Sequence, residues 1–440
     1  MHQPPTTPPD RRPRSATPRS ALRGRRGAAL ALGLMVTVAA CSSGNGGNSA
    51  SSTAPSSATG THTTASAATS SPARTATTKS SAPPPVTKPP ASCVDRTVSA
   101  MSVSQRVGQL FMSAINSTGV TGAEATAITH GKVGGVFLMG HTNTGTSAVK
   151  AVTDRAKALA TTVPGVKLHL LISTDQEGGQ VQVLNGPGFS VIPSAVTQGQ
   201  WSTSHLQQQA TAWGGQLRAA GLSMNLAPVA DTVPPDLVGV NAPIGLLDRE
   251  YGNDPSTVAS HSDAFLRGMR AAGVLPTIKH FPGLGRVRGN TDLAANVVDS
   301  VTTRTDPYLQ PFRSGIQAGT PFVMVSNAKY ALIDPARQAA FSPVIMRDLL
   351  RGSLGFKGVI ISDDLGAAVA VSDRSPGQRA VDYLTAGGNI VLTVRPGDIA
   401  PMTAAVLAKM PNSSALRAAV DDSVHRVLNL KHNAGLLTCS

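Results

Sequence analysis

The chain has 440 residues, enough for two or three domains or for one large α/β domain, and it carries a formal net charge of +14. Most of that charge precedes the part that looks folded. Seven arginines against Asp10 in residues 1–40, with three further cations in residues 41–92, supply +9 and leave +5 for residues 93–440. Because that region is only mildly basic and has few aromatic side chains to stack on bases, we expect no nucleic-acid partner.

An apolar run of 13 residues, Ala28–Ala40, follows three closely spaced arginines and ends at Cys41. This pattern predicts a secretory signal peptide, and the run is too short to span a membrane comfortably. A cysteine at the first position after the cut resembles the lipobox of bacterial lipoproteins, in which that thiol is lipidated. We therefore expect residues 1–40 to be a signal peptide and Cys41 to anchor the exported protein to the outer face of the cytoplasmic membrane. The alternative is a plain signal peptide followed by an incidental cysteine.

Residues 41–92 consist almost entirely of Ser, Thr, Ala, Gly and Pro, without apolar periodicity. Such a segment cannot bury a core, and we expect a disordered tether. Cys93 and Cys439 bracket the remaining region, residues 93–440, which we interpret as one folded domain. In an exported protein such a pair indicates a disulfide that ties the two ends of the domain together, the alternative being two free thiols.

From Cys93 onward, apolar runs of strand length alternate with helix-like segments. Continuous apolar runs indicate strands buried on both faces, as in a parallel sheet wrapped in helices. Eight repeats in this length favour a single (β/α)₈ barrel over an open sheet. The predicted strands are Gln109–Ile115, Gly134–Met139, Leu168–Thr174, Ser223–Val229, Leu275–Lys279, Phe322–Ser326, Gly358–Ser362 and Asn389–Val394.

Helices are predicted between and after these strands. The last of them, Ser414–Leu437, is expected to close the domain and to return Cys439 to Cys93. The other predicted helices are Thr146–Thr161, Ser204–Ala220, Pro255–Ala272, Pro307–Ala318, Ser342–Leu354, Pro376–Ala386 and Pro401–Met410.

Polar and charged side chains gather where the predicted strands end. In a (β/α)₈ barrel that rim carries the functional loops, and charged residues make up only 14% of this chain. Their concentration at the strand ends therefore predicts an active site there. The residues concerned are Asp175 and Glu177, Asp231, Lys279 and His280, Asn327, Asp363 and Asp364, and Arg395.

The residue types at this rim limit the chemistry. No His or Cys spacing predicts a metal site, and no phosphate-binding loop or nucleophile elbow is found. Carboxylates accompanied by Lys, His and Arg suit glycoside hydrolysis, in which one carboxylate attacks the anomeric carbon or positions water and a second group handles the proton. Such a site needs neither a cofactor nor a metal.

Five segments, in order along the chain, resemble the single-domain β-N-acetylhexosaminidases of glycoside hydrolase family 3, often called NagZ-like. The resemblance covers residues 98–440 and implies a (β/α)₈ barrel that acts on terminal N-acetylglucosamine (GlcNAc). The matching segments are Ser173–Gln182 (STDQEGGQVQ), Leu226–Asp231 (LAPVAD), Leu247–Gly252 (LDREYG), Ile278–Gly283 (IKHFPG) and Leu354–Leu365 (LGFKGVIISDDL).

The resemblance implies roles for individual residues. Asp363 matches the family's nucleophile, which forms a covalent glycosyl-enzyme intermediate in a retaining mechanism. Asp175 matches a carboxylate that binds sugar hydroxyls, and Arg249, Lys279 and His280 match side chains that hold the same sugar. Glu177 and Asp364 could belong to the site or could simply brace a loop.

The proton donor departs from the family pattern. The loop after the Lys-His-Phe-Pro-Gly segment usually carries an Asp-Ser-His triplet whose His is the acid/base, but here those places hold Asn290, Thr291 and Asp292. Asp292 could replace that His if partial burial raised its pKa towards neutrality. Arg286 and Arg288 in the same loop could contact an acidic part of the leaving group, or could form a solvated loop face.

These observations predict a monomeric, retaining β-N-acetylglucosaminidase that acts on peptidoglycan-derived fragments outside the cytoplasmic membrane. A family 3 β-glucosidase is the nearest alternative, although its acid/base usually comes from a second domain that this chain has no room for. A non-catalytic sugar-binding lipoprotein on the same scaffold is an alternative of another class. A lyase that uses Lys279 to form a Schiff base is a weaker one.

Overall fold

The computed structural model describes residues 91–439. The predicted signal peptide, the predicted lipidation site at Cys41 and the predicted tether up to residue 90 lie outside the described residues. Among the helices of residues 91–439, none has both the length and the apolar character needed to cross a membrane.

Eight parallel strands form the centre of the domain. The strands are β1 Phe111–Asn116, β2 Gly135–Met139, β3 Leu171–Thr174, β4 Met224–Asn225, β5 Leu275–Phe281, β6 Phe322–Val325, β7 Val359–Asp364 and β8 Ile390–Thr393. Their hydrogen-bonded order is β3–β2–β1–β8–β7–β6–β5–β4, so strands adjacent in sequence are adjacent in the sheet. Backbone hydrogen bonds from Ser223 N–H to the Ile172 carbonyl and from Leu226 N–H to the Thr174 carbonyl, both 2.9 Å, join β4 to β3. The predicted (β/α)₈ barrel is thereby confirmed.

The continuous apolar runs predicted the strands because both faces of the barrel sheet are buried. All four residues of β6 and all four of β8 are buried, as a parallel sheet covered by helices requires. The predicted fourth strand, Ser223–Val229, is longer than the observed β4, which ends at Asn225, and Pro228 has no N–H to donate to a regular ladder. A single bridge between Val229 and Lys279 resumes the pairing beyond it.

The helices cover and connect these strands. Several agree with the prediction to within two or three residues, and Pro376–Ala386 agrees at both ends. Pro255–Ala271 begins where it does because the Asp254 carboxylate accepts hydrogen bonds from the N–H groups of Ser256 and Thr257, at 3.0 and 2.9 Å. The helices are Cys93–Ala100, Val103–Gly108, Gly122–Gly131, Gly145–Ala158, Ala195–Gln198, Thr203–Ala219, Pro255–Ala271, Gln310–Gln317, Val344–Ser353, Pro376–Ala386, Ile399–Lys409 and Ser414–Asn433.

Some segments differ from their predictions. The predicted helix Ser342–Leu354 is wound as a π-helix over Val344–Ser353, and the predicted helix Pro307–Ala318 opens with a 3₁₀ turn, Pro307–Leu309. Four helices, Cys93–Ala100, Val103–Gly108, Gly122–Gly131 and Ala195–Gln198, were not predicted. Further 3₁₀ turns lie at Gly245–Leu247, Ala339–Phe341, Val369–Val371, Pro396–Asp398 and Met410–Asn412.

The end of the barrel where the strands begin is closed by the two ends of the domain. The prediction of one helix from Ser414 to Leu437 is wrong at its end, because the helix stops at Asn433 and Leu437–Cys439 is a strand. That strand pairs antiparallel with Val166–Leu168, which precedes β3. The predicted disulfide is confirmed, with Cys93 and Cys439 bonded and their Cα atoms 5.8 Å apart.

The opposite end, where the strands finish, carries additional small sheets. Gln176–Gly178 pairs with Val181–Gln182 in the loop after β3. A three-stranded sheet joins Val298–Asp299 from the loop after β5 to Lys329–Tyr330 and Asp334–Gln338 from the loop after β6. These pairings fix the loops that surround the candidate site.

Candidate active site

A cavity of about 430 Å³ opens at the carboxyl ends of the barrel strands. Its volume lies in the range of ligand pockets. All of the residues predicted to be catalytic or to bind substrate line it, although they come from five different loops or strands: Asp175, Arg249, Lys279, His280, Asp292 and Asp363. The barrel therefore brings together side chains that are far apart in the sequence.

Four charged side chains form one ion-pair network along the cavity wall. Lys279 Nζ lies 2.5 Å from Asp175 Oδ1 and 2.5 Å from Glu177 Oε1. Arg249 donates from Nε and Nη2 to the two oxygens of Glu177, both at 2.8 Å, in a bidentate pair. Arg249 also donates from Nη1 to the Pro243 carbonyl at 2.7 Å. Two cations and two carboxylates thus balance one another.

This network keeps its buried members charged. Burial alone would raise the pKa of Glu177, but Arg249 and Lys279 outweigh it and lower that pKa to about 2. Burial alone would lower the pKa of Lys279, but Asp175 and Glu177 outweigh it, and the pKa is raised. The Arg249 pKa is also raised, because Glu177 outweighs burial. Lys279 and Arg249 are therefore cationic at neutral pH, and each retains N–H donors that these contacts do not use.

His280 is oriented by Asp231. The Asp231 carboxylate lies 2.7 Å from His280 Nδ1 and accepts hydrogen bonds from the backbone N–H groups of His280 and Leu284, at 3.1 and 2.8 Å. The pair is almost fully buried, with His280 5% and Asp231 0% exposed. A carboxylate on Nδ1 fixes the ring and leaves Nε2 as the nitrogen available to a ligand in the cavity.

The two aspartates at the end of β7 have different surroundings. Asp363 is partly buried, lines the cavity and accepts a hydrogen bond from the Asp364 N–H at 2.9 Å. Asp364 accepts four backbone hydrogen bonds, from Gly366, Ala367, Ala368 and Val394, at 2.7–3.0 Å. Burial raises the pKa of Asp364 despite these bonds. Asp364 therefore braces the loop after β7 and supports the position of Asp363.

Asp292 is brought to the cavity by a loop that docks on the segment after β7. The Val369 and Ala370 N–H groups donate to the carbonyls of Asp292 and Thr291, at 3.3 and 3.0 Å. The Asn290 side chain accepts from the Asp292 N–H at 2.9 Å. Asn290 and Thr291 line the cavity as well. The triplet that departs from the family pattern thus occupies the cavity wall.

The environment of Asp292 raises its pKa to about 6. The side chain is open to solvent at the mouth of the cavity, but protein atoms crowd it on its other sides and reduce its solvation. The nearby carboxylates Asp363 and Asp364 raise the pKa further, while His280 and Arg249 lower it. Because this pKa lies close to neutral pH, part of the Asp292 population is protonated there, and a proton donor must be protonated to act.

Arg286, which was predicted either to contact the leaving group or to lie on a solvated loop face, is engaged within its own loop. Arg286 Nη1 lies 2.6 Å from Asp306 Oδ2, and the guanidinium lies 3.7 Å from the centre of the Tyr308 ring. Its charge is neutralised inside the loop. Arg288 is exposed and, like Arg286, is absent from the cavity lining.

The contacts among the charged residues of the site were not assigned from the sequence. Asp231 and Glu177 were recognised at the strand ends, but their partners, His280 for Asp231 and Arg249 with Lys279 for Glu177, follow only from the fold.

Asn327 donates to the Asp364 carbonyl at 2.8 Å and does not line the cavity, nor does Arg395, which is exposed. Within residues 91–439, no group of three or more His, Cys, Asp or Glu side chains is arranged to hold a metal ion.

A (β/α)₈ barrel with carboxylates and cations at the carboxyl ends of its strands is the architecture of many glycoside hydrolases. Comparison with known protein families identifies the family of this chain. Residues 102–430 match the family described as "Glycosyl hydrolase family 3 N terminal domain". The chain belongs to this family and is a glycoside hydrolase, as its sequence motifs predicted.

Named proteins that are similar to this chain are also glycoside hydrolases. The chain is 34% identical over 319 residues to the beta-hexosaminidase of Stenotrophomonas maltophilia (strain R551-3), covering 68% of this chain and 88% of that one. The crystal structure of the beta-N-acetylhexosaminidase of Beutenbergia cavernae DSM 12333 has 50% identity and a TM-score of 0.74, covering 76% of this chain and 99% of that one. A family 3 beta-N-acetylglucosaminidase from Paenibacillus sp. str. FPU-7 has 30% identity and a TM-score of 0.68, covering 77% and 63%.

Proposed function

We propose that this protein is a retaining, exo-acting β-N-acetylglucosaminidase that releases terminal GlcNAc from peptidoglycan-derived fragments. The observation that carries the proposal is the convergence of Asp363, Asp292 and the Asp175–Lys279–Glu177–Arg249 network on one cavity. The names of the similar proteins support the sugar, because they are hexosaminidases and N-acetylglucosaminidases.

In the first step, the Asp363 carboxylate attacks the anomeric carbon while the bond to the leaving oxygen breaks. Protonated Asp292 gives its proton to that oxygen, so the leaving group departs as a neutral alcohol. A covalent glycosyl-aspartate remains. Its formation requires Asp363 ionised and Asp292 protonated, and the raised pKa of Asp292 makes that combination accessible near neutral pH.

In the second step, the Asp292 carboxylate removes a proton from water, and the resulting oxygen attacks the anomeric carbon. The bond to Asp363 breaks, GlcNAc leaves, and Asp292 is protonated again for the next cycle. Meanwhile Asp175, Lys279, Arg249 and His280 Nε2 hold the sugar hydroxyls. Lys279 has one N–H beyond its two carboxylate contacts, and Arg249 has two beyond its three hydrogen bonds.

Hydrolysis of 4-nitrophenyl β-N-acetylglucosaminide by the full chain, beside Asp363→Asn, tests the reaction class. We expect turnover by the wild type and a loss on the order of a thousandfold or more in the variant, because the nucleophile is gone. Trapping with a 5-fluoro GlcNAc donor that carries a good leaving group should label Asp363. A correctly folded wild type without turnover would instead favour the sugar-binding protein.

We propose further that Cys41 carries a lipid anchor at the outer face of the cytoplasmic membrane. The apolar run that ends at Cys41 supports this, and peptidoglycan fragments are the GlcNAc-bearing material available there. Comparing wild type with Cys41→Ser in membrane and soluble fractions of the cells checks the anchor. Equal membrane association of the two proteins would contradict it.

A further inference from the structure

Large exposed apolar side chains are concentrated at one end of the described domain. Of eleven such residues in residues 91–439, ten lie at the carboxyl end of a barrel strand or in the segment that follows one. The exception is Val103, which is 48% exposed on a helix at the end where the strands begin. Scattered apolar residues need no explanation, but a clustered set marks an interaction surface.

The densest part of this set lies in the loops after β5 and β6. Leu293 is 79% exposed, and Val301 and Leu332 are 55% and 57% exposed. Two exposed arginines accompany them. We define the apolar–basic patch by its residues Arg288, Leu293, Val298, Val301, Arg304 and Leu332.

The patch is built on a rigid support. Val298 pairs with Lys329 in the three-stranded sheet. Leu332 follows three residues after Lys329, so it lies close to the end of the same strand. The Asp299 carboxylate accepts from the Val301 and Thr302 N–H groups, both at 2.8 Å, and so fixes the turn that presents Val301. These side chains are therefore held outward by an ordered backbone.

The patch also has an uncompensated positive charge. The acids of the same two loops are occupied elsewhere: Asp299 is buried against Thr302, Asp306 pairs with Arg286, and Asp334 accepts from Ser342 at 2.6 Å. Asp292 lines the cavity. The guanidinium groups of Arg288 and Arg304 are thus the charges that the patch presents to a partner.

We propose that the apolar–basic patch docks on an anionic lipid surface. Aliphatic side chains that can enter the boundary between headgroups and acyl chains, flanked by arginines that attract anionic lipids, are the two parts of an interfacial membrane contact. A protein partner is a poorer fit, because Leu and Val are under-represented among the residues that dominate protein interfaces. Since Leu293 follows Asp292, the cavity mouth borders the patch and would open beside the bilayer.

The position of the patch relative to lipid can be measured directly. In the full chain carrying Cys41→Ser, an environment-sensitive fluorophore is attached either at Leu293→Cys or at Val103→Cys, the disulfide keeping Cys93 and Cys439 unreactive. The probes are vesicles of phosphatidylglycerol with phosphatidylcholine. We expect the emission at position 293 to shift to shorter wavelength and the emission at position 103 to stay unchanged.

Charge reversal separates the patch from general electrostatic attraction. Arg288→Glu with Arg304→Glu should raise the lipid concentration needed for the half-maximal shift by about tenfold or more, since arginines near an anionic surface strengthen membrane binding. Arg155→Glu with Arg313→Glu, two exposed helix arginines, gives the same change in net charge and should leave the shift nearly intact.

Four outcomes would overturn the proposal. These are no shift at position 293, an equal shift at position 103, and equal effects of the two charge reversals. The fourth is a shift at position 293 caused by soluble poly(glycerol phosphate) and not by vesicles, which would assign the patch to an anionic polymer. Unchanged thermal unfolding of the variants excludes misfolding as the cause of a lost shift.

Discussion

Two lysines are buried at opposite ends of the barrel. Lys279, in β5, is 2% exposed and lies in the cavity wall where the strands finish. Lys431, on the final helix, is 0% exposed and lies where β1 and β2 begin. Lys279 contacts two carboxylates, whereas Lys431 donates to the Gln109 side chain and to the Gly134 carbonyl, at 2.7 and 2.8 Å.

The partners decide the charge of each lysine. Carboxylates raise the pKa of Lys279 in spite of burial, whereas burial lowers the pKa of Lys431 to about 7. The catalytic end thus keeps its cation and can offer it to a ligand, while the closed end uses an amine to satisfy two buried oxygens. Burial alone does not identify a functional residue; the charge left available to a ligand does.

Replacing each lysine with methionine should produce the largest difference between the two ends of the barrel. Lys279→Met removes a cation from Asp175 and Glu177 and should lower kcat/KM for an aryl GlcNAc glycoside by roughly a hundredfold or more. Charge-assisted hydrogen bonds contribute about 1.5–3 kcal/mol, and the misplacement of Asp175 adds to that loss. Lys431→Met, the matched control, should leave kcat/KM within a few-fold of wild type. Similar losses in both variants would show that the site has no special dependence on Lys279.

The carboxylates of the cavity extend the contrast between the two ends, because reduced solvation and the nearby Asp363 and Asp364 raise the pKa of Asp292 to about 6. If Asp292 is the proton donor, kcat/KM for a GlcNAc disaccharide should decline as pH rises above about 6, where the acid form is lost. Asp292→Asn should remove that decline and lower the rate on the disaccharide by about 10²–10⁴. An aryl glycoside, whose leaving group needs little protonation, should lose less.

Asp236→Asn provides the control for this experiment, because Asp236 is exposed in the loop after β4 and is absent from the cavity lining. It should keep the pH profile of the wild type. Equal losses of Asp292→Asn on both substrates, or an unchanged decline above pH 6, would remove Asp292 from the acid/base role.

The sequence was sufficient for the barrel and for most of the site because both leave local signals. Buried parallel strands appear as continuous apolar runs, and strand ends are marked by the change from apolar to charged residues, as at Ile278–Lys279. Contacts between distant segments leave no such signal. Arg249 and Glu177 are separated by 72 positions and Lys279 and Asp175 by 104, so their pairing is a property of the closed barrel.

The closed end was predicted least well for the same reason. The strand Leu437–Cys439 exists because Val166–Leu168 offers it an edge, and its own residues also suit the end of a helix. The burial of Lys431 was not predicted either, since a lysine near the end of a helix ordinarily lies in solvent. Its two acceptors, Gln109 and Gly134, belong to segments far away in the sequence.

The pH dependence of stability gives the finest test of the difference between the two lysines. The unfolded chain holds the proton of Lys431 up to its ordinary pKa of 10.5, whereas the folded chain releases it near pH 7. Between these values the unfolded state binds more protons, so this group makes the folded state more stable as pH rises, by up to a few kcal/mol. Lys431→Met should remove that gain while leaving two buried oxygens without a donor, a cost that does not vary with pH. Urea unfolding at pH 7 and pH 10 measures the free energy of unfolding, and the difference between wild type and Lys431→Met should be larger at pH 10. Lys167→Met, which alters an exposed lysine at the same end, should have the same pH dependence as the wild type. A constant gap for Lys431→Met would mean that Lys431 stays charged in the folded protein, and the contrast with Lys279 would then rest on their partners alone.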